Sequence, residues 1–353
     1  MRKLTTGKVK IGKTYVGLGY PTFFVAEIGL NHNGDIKTAK ELIREAKSAG
    51  ANAVKFQKRN HHEIFTESML MEPYTGPNSY GKSYGEHRSA LEFTFDEYLE
   101  LLNFAKSLDI LFFASVWDES SVDFMSDLGT DAYKVASADA SNIRLINKII
   151  ATKKPILIST GMSTEVELES IVKFVRSRTN KFIFFHSTSL YPANYENLHL
   201  SFMNKLSKMS GKNPIGYSGH ESDIFPSVAA IILGASIVER HITLDKMAKG
   251  SDHAASLLPS EFSQLVDHAR NFEKILGTPT KPELSEPLLA MRRKLGKSLY
   301  YSTDLQEGHR VDAKDLKLLS PGNGISPLRE QEFIGKRLTR SVKRQEPLSE
   351  DDF

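Results

Sequence analysis

Ile215-Gly216-Tyr217-Ser218-Gly219-His220, a helical stretch near 224–233, and then Ser236-Ile237-Val238-Glu239-Arg240-His241-Ile242-Thr243 form a strand, helix, strand succession that decides the fold. Both runs are short, apolar and β-branched or aromatic, and each reaches a histidine at its end. A run this apolar reads as a strand buried on both faces, which belongs to a parallel sheet with crossover helices. Outward from this unit the pattern repeats. Strand-like runs are expected at Thr22–Ile28, Ala53–Gln57, Ile110–Val116, Ala132–Ser137, Pro155–Thr160, Phe182–Thr188, Ile215–Ser218 and Ser236–Thr243. Between the first two, Ala39, Leu42, Ile43 and Ala46 recur at helical spacing. Further helical stretches lie near 96–107, 119–127, 143–151, 164–176, 224–233 and 260–276. Eight such units point to an α/β chain closed into a (β/α)8 TIM barrel. An open doubly wound sheet would carry a glycine-rich turn after its first strand, whereas here the polar loop Gly29-Leu30-Asn31-His32-Asn33-Gly34 follows.

The 353 residues suffice for a barrel of about 250 residues and an appended module. Pro279, Pro282 and Pro287 mark a linker, and beyond about Leu295 short strands and turns take over, with Pro321-Gly322-Asn323-Gly324 as a turn signal. The expected division is a barrel over 1–277, a linker over 278–294 and a small, mostly β domain over 295–353. The segment Arg59–Thr94 reads as a long irregular loop on the active face, a candidate lid.

Composition narrows the function. Forty-six basic and 43 acidic side chains leave a net charge of +3, too weak a field to argue for nucleic acid or an anionic membrane. With no cysteine, disulfides and thiolate metal sites are excluded and a metal must use nitrogen and oxygen. Residues 1–20 have no signal-length apolar core and no later run reaches a membrane span, so a cytoplasmic address is expected.

The carboxyl ends of the expected strands are polar: Glu27, Lys55 with Gln57, Ser115, Lys134 with Ser137 and Asp139, Ser159 with Thr160, His186 with Ser187, His220, and Glu239 with His241. Barrel interiors are normally filled by Val, Ile and Leu, so a polar set at one end reads as a catalytic mouth. Lys55 and Lys134 suit a small carboxylate or phosphate, with hydroxyls as neutral donors. A Schiff-base aldolase would also place a lysine in a barrel strand. His220 and His241 on adjacent strands suit a divalent ion such as manganese, with magnesium or cobalt as alternatives, that keeps positions open for substrate oxygens. His186 is the spare, read as structural.

These residues resemble those of the sialic acid synthases, which condense phosphoenolpyruvate with an N-acylated mannosamine. The similar segments are Val25-Ala26-Glu27-Ile28-Gly29-Leu30-Asn31-His32-Asn33-Gly34, Val54-Lys55-Phe56-Gln57, Tyr133-Lys134-Val135-Ala136-Ser137, Ile158-Ser159-Thr160-Gly161-Met162, His186-Ser187-Thr188 with Tyr191-Pro192, Gly216-Tyr217-Ser218-Gly219-His220 and Val238-Glu239-Arg240-His241. The tail resembles the antifreeze-like (SAF, β-clip) module that follows this barrel in the family. The resemblance implies His220 and His241 as manganese ligands and Glu27 as the group that positions or activates water and the reacting sugar. It implies Lys55, Asn78, Ser115, Lys134, Ser137, Ser159 and Ser187 around phosphoenolpyruvate, and Gln57, Asp139, Tyr191 and Asp252 toward the sugar. It further implies a domain-swapped homodimer. Two departures bear on the sugar: Asp139 stands where many bacterial members carry glutamate, and Ser320 where the family often has arginine. Legionaminic or pseudaminic acid synthesis is the alternative within enzymes. A non-catalytic carbohydrate-binding protein is the alternative outside them.

Overall fold

The computed structural model describes residues 7–278 and 280–353, so Pro279 of the expected linker and residues 1–6 lie outside it. The chain divides after Gly277 into two compact units. In the first, Lys8–Ile11 (β1) and Thr14–Gly17 (β2) form an antiparallel hairpin. Eight parallel strands follow: Phe23–Gly29 (β3), Ala53–Lys58 (β4), Leu111–Val116 (β5), Tyr133–Val135 (β6), Ile156–Ser159 (β7), Phe182–Ser187 (β8), Ile215–Gly219 (β9) and Ala235–His241 (β10). They close in the order β10-β3-β4-β5-β6-β7-β8-β9, the expected barrel.

The helices between them start where local chemistry directs. Thr94 with Glu97, and Thr164 with Glu167, form reciprocal capping boxes at the heads of helices Phe95–Ser107 and Glu165–Arg176. Asp35 caps Ile36–Ser48, whose buried face is the Ala39, Leu42, Ile43, Ala46 stripe. That face packs in the layer between barrel and helices with Val54, Phe56 and Phe112.

Strand alternation puts every second residue inside the barrel. The inner positions nearest the strand starts are apolar: Phe23, Val25, Ala53, Phe113, Leu157, Ile183, Phe185 and Ile237 share one cluster. Val9, Ile11 and Val16 of the hairpin belong to the same cluster, so β1 and β2 close the barrel floor. The sequence reading had not assigned this hairpin. Four-residue strands carry too little periodic signal, and their partners are supplied by the distant barrel.

Three other expectations are corrected. The strand expected over Ala132–Ser137 is only Tyr133–Val135, because Ser137–Asp139 turns into a 3-10 segment that leads to Asn142, the cap of helix Ile143–Ala151. The stretch Arg59–Thr94 is not irregular: it folds as helices His61–Ile64, Glu67–Met71 and Tyr84–Ser89. Most of the stretch read as a linker is helix Glu286–Leu295, in which Pro287 lies in the first turn, where a missing N–H is harmless.

The second unit pairs Ser298–Tyr301 (β11) with Leu316–Leu319 (β12) in an antiparallel sheet. Leu299, Tyr301, Val311, Phe333, Leu338 and Val342 form its own core. Ser320 accepts a 2.9 Å hydrogen bond from Lys297 and donates one of 3.2 Å to the Leu295 carbonyl. Among the described residues no helix is long and apolar enough to cross a membrane.

Candidate active site

The register of the barrel stacks a polar layer on the apolar floor. His241 pairs with Glu27 across β10 and β3, Glu27 with Lys55 across β3 and β4, Gln57 with Ser115 across β4 and β5, and Ser115 with Lys134 across β5 and β6. Glu239 lies opposite Ser218. These side chains share inner positions with the floor residues one layer below, so the change from apolar to polar occurs within each strand. They line a cavity of about 90 Å³ at the strands' carboxyl ends, with Trp117, Ser159, Tyr191 and His220. A larger groove lined by Leu18, Tyr20, Ile232 and Leu276, where the strands begin, is mostly apolar and gathers no comparable set of charges.

Inside the mouth the charges are paired. Lys55 Nζ is 2.6 Å from Glu27 Oε2, off the hydrogen-bond direction and hence an ion pair, and it donates to Ser115 Oγ at 2.7 Å. Lys134 Nζ donates to Ser159 Oγ at 2.6 Å. Glu239 Oε1 lies 3.6 Å from each ammonium and accepts from Ser218 Oγ at 3.2 Å. Burial raises the Glu239 carboxyl, but the ammonium charges of Lys134 and Lys55 outweigh it and hold the carboxylate ionised, below its usual range. Burial also lowers Lys134 to about 8, against the opposing pull of Glu239. Gln57 Nε2 donates to Glu27 Oε1 at 2.9 Å, which orients that carboxylate.

The two imidazoles converge. The ring centroids of His220 and His241 are 5.6 Å apart, and the Tyr191 ring lies 4.2 Å from His220. His220 Nδ1 is 2.8 Å from the Thr188 carbonyl oxygen, which assigns the proton to that nitrogen and leaves a lone pair on Nε2. Burial, helped by the proximity of His241, lowers His220 to about 3 and keeps it neutral. His241 Nδ1 is buried with no hydrogen-bond partner and has Asp252 Oδ2 at 3.8 Å. Among the described residues no group of three or more His, Asp or Glu gathers as a metal cage. An orphaned buried nitrogen on His241 beside the neutral imidazole of His220 fits a loosely held divalent ion, not a closed structural site.

Most of the expected site residues meet here: Glu27, Lys55, Gln57, Ser115, Lys134, Ser137, Ser159, Tyr191, His220 and His241 line the cavity. Ser187 stands just behind, 3.3 Å from Ser137 Oγ. Asp139 does not line it; its carboxylate accepts from Asn142 at 3.1 Å on the 3-10 turn, and burial raises its pKa. Asn78 and Asp252 line a separate small cavity, where Asn78 Oδ1 accepts from the Gly250 amide at 3.2 Å. His186 faces away, bonded at 2.7 Å to the Leu198 carbonyl, the structural use expected for it. Glu239, noted as a strand-end residue but given no role, is the centre of the lysine pair. Ser218, Trp117, Ser189 and Met162 had not been assigned to the site. The period of two would have found Ser218 and Glu239, each two residues before a named histidine.

A parallel barrel whose mouth sets two buried lysines beside two converging imidazoles defines an enzyme for small anionic substrates. The chain belongs to the NeuB family, whose model matches residues 42–281, and an SAF domain model matches 296–353. It is 40% identical over 339 residues to the N-acetylneuraminate-9-phosphate synthase of Homo sapiens, covering 96% of this chain and 94% of the relative. It is 34% identical to the N,N'-diacetyllegionaminic acid synthase of Legionella pneumophila, over 92% of this chain and 93% of that one. The N-acetylneuraminic acid (sialic acid) synthetase of Leptospira borgpetersenii, solved with citrate, superposes with a TM-score of 0.73 at 31% identity, covering 83% of this chain and 98% of that chain.

Proposed function

We propose that this protein is a sialic acid synthase that condenses phosphoenolpyruvate with the open-chain aldehyde of an N-acylmannosamine-type sugar, releasing phosphate and a nonulosonic acid. The observation that carries this reading is the pair Lys55 and Lys134, both 3.6 Å from Glu239 Oε1 and next to the imidazole pair. Two lysines facing one cavity suit a ligand with both carboxylate and phosphate, and Ser115 and Ser159 stand ready as neutral donors.

His220 and His241 would hold a divalent ion, manganese as the family resemblance implies, and when bound it would supply Lewis-acid polarisation of the aldehyde oxygen. The protein's own groups do the rest. Lys55 and Lys134 bind and orient phosphoenolpyruvate so that its C3 faces the aldehyde carbon. The C3–C1 bond forms as the enol double bond supplies its electrons, and positive character grows at C2 close to Glu239 and Glu27. Glu27, oriented by Gln57, takes a proton from the water that adds to C2 and returns it to the alkoxide left on the former aldehyde oxygen. The C2–O bond to phosphate then breaks as the new C2 hydroxyl passes its proton to the departing phosphate and becomes the keto oxygen, and Lys134 and Lys55 hold the phosphate's charge without reorganising.

The relatives carry names for a 9-phosphorylated and for a diacetamido product, and Asp139 and Ser320 depart from the residues common near the sugar, so the acceptor is chosen by assay. Incubation with phosphoenolpyruvate, manganese and a panel of N-acyl hexosamines, free and 6-phosphorylated, should release phosphate and yield a 2-keto acid of matching mass. Absence of both products across the panel refutes the reading. A cytoplasmic address accords with a substrate drawn from central metabolism. We also infer a homodimer in which the C-terminal unit of one subunit covers its partner's barrel mouth, since the reacting centre must be kept from bulk water.

A further inference from the structure

A second concave site lies at the opposite end of the barrel from the mouth. Strand β1 alternates, so Val9 and Ile11 enter the floor cluster while Lys8 and Lys10 stay on the exposed side. Those two lysines and Tyr15 of β2 line one side of a cavity of about 450 Å³. Its other side comes from residues that immediately precede three barrel strands: Asp131 before β6, Lys154 before β7, and Asn180 with Lys181 before β8. Four lysines from three separate chain segments thus line one hollow that holds a single carboxylate, an excess of three positive charges.

Nothing in the hollow offsets that excess. Among the described residues none of the four lysines forms an ion pair, with Asp131 or with any other carboxylate. The partners they do have are neutral: Lys8 Nζ donates to Tyr20 Oη at 3.0 Å, and Lys181 Nζ to the Lys153 carbonyl at 2.9 Å. Lys8 Nζ stands 4.3 Å and Lys10 Nζ 5.8 Å from the centre of the same Tyr15 ring, which holds both ammonium groups at one side of the cavity. The chain as a whole is close to neutral, so this concentration of charge is local and attracts anions to one place.

We propose that this hollow is a binding site for a small molecule carrying two linked phosphoryl groups, the diphosphate of a nucleotide or a related metabolite. Each phosphoryl group carries roughly 1.5 to 2 negative charges at neutral pH, so two of them match the excess that one phosphate leaves uncompensated. Lysines on both sides of the cavity each need acceptor oxygens, and a linked pair supplies them to both sides, with Asn180 as a neutral donor. The apolar floor, with Val25, Phe113 and Ile183, separates the hollow from the mouth, so its ligand is not a reactant of the condensation. The site stands on its own residues and does not depend on that reading.

The test titrates the full chain with pyrophosphate, ADP and inorganic phosphate by calorimetry in metal-free buffer, with and without saturating phosphoenolpyruvate. Pyrophosphate and ADP are expected to bind once per chain, about 10-fold or more tighter than inorganic phosphate, and more weakly as salt rises. Lys10→Glu and Lys154→Glu change exposed residues and should fold, yet each should weaken that binding by about 10-fold or more. Lys317→Glu, the same charge change in the second unit, should leave it nearly unaltered. No binding of pyrophosphate or ADP overturns the site. Equal weakening by Lys317→Glu shows attraction by net charge alone and overturns it. Displacement of the bound diphosphate by phosphoenolpyruvate places it at the mouth and overturns it as well.

Discussion

Lys134 is the residue whose environment makes the sharpest demand. In the proposed reaction it binds phosphoenolpyruvate as an ammonium, yet burial brings its pKa down to about 8. Below that pH it is charged; above it the charge is lost. The kcat/KM for phosphoenolpyruvate is therefore expected to fall as pH rises through about 8, while the KM for the sugar stays level, and a flat profile to pH 9.5 would contradict the assignment. At the imidazole pair, His241→Ala removes the buried orphan nitrogen and should lower metal-dependent turnover by about 100-fold or more with little change in folded content by circular dichroism. Full activity of that variant after chelator dialysis would exclude the pair as ligands. The strand alternation made Lys55, Lys134, His220 and His241 legible from the sequence, because each sits in an otherwise apolar run. Glu239 was harder to interpret, since its meaning lies in two lysines on other strands.

Elements carry the next level of precision. Glu221, just after His220, pairs at 3.0 Å with Arg240, just before His241, and both are fully buried. Arg240 also donates to Ser227 Oγ at 2.9 Å and to the Asp223 carbonyl at 2.8 Å, so the ends of β9 and β10 are tied together behind the imidazoles. Arg240→Met alone strands a buried carboxylate and should destabilise the fold by about 3–5 kcal/mol, whereas adding Glu221→Met should recover much of that loss. Equal denaturation midpoints for single and double variants would show that the pair does not act as a unit. At the opposite end, Ile11→Ala opens a gap in the barrel floor and is expected to cost roughly 2–5 kcal/mol, seen as a lower urea midpoint with kcat nearly unchanged. A large fall in kcat would mean that the hairpin does more than fill the floor. The hairpin and the three lid helices escaped the sequence reading for one reason: elements of four to six residues span too few turns or pleats to display a period.

At the scale of the whole molecule, each of the two units has a separate apolar core. A chain ended at Gly277 is therefore expected to keep a folded barrel. If the C-terminal unit covers a partner's mouth, that shortened chain should lose most turnover and sediment at a lower mass than the full chain. Full activity as a monomer would remove the case for a shared site.

The order of strands and helices, the inward direction of the two lysines and two histidines, and the change of architecture near residue 295 were all contained in the linear pattern, because period and composition act over neighbouring residues. The tertiary structure alone decided that Glu239 would bridge lysines from β4 and β6, that the first hairpin would close the floor, and that Lys58, Arg59 and His61 would share the one carboxylate of Glu92. Those contacts join residues far apart in the chain. They depend on how eight strands tilt and register as the sheet closes, a property of the whole barrel that no local stretch specifies.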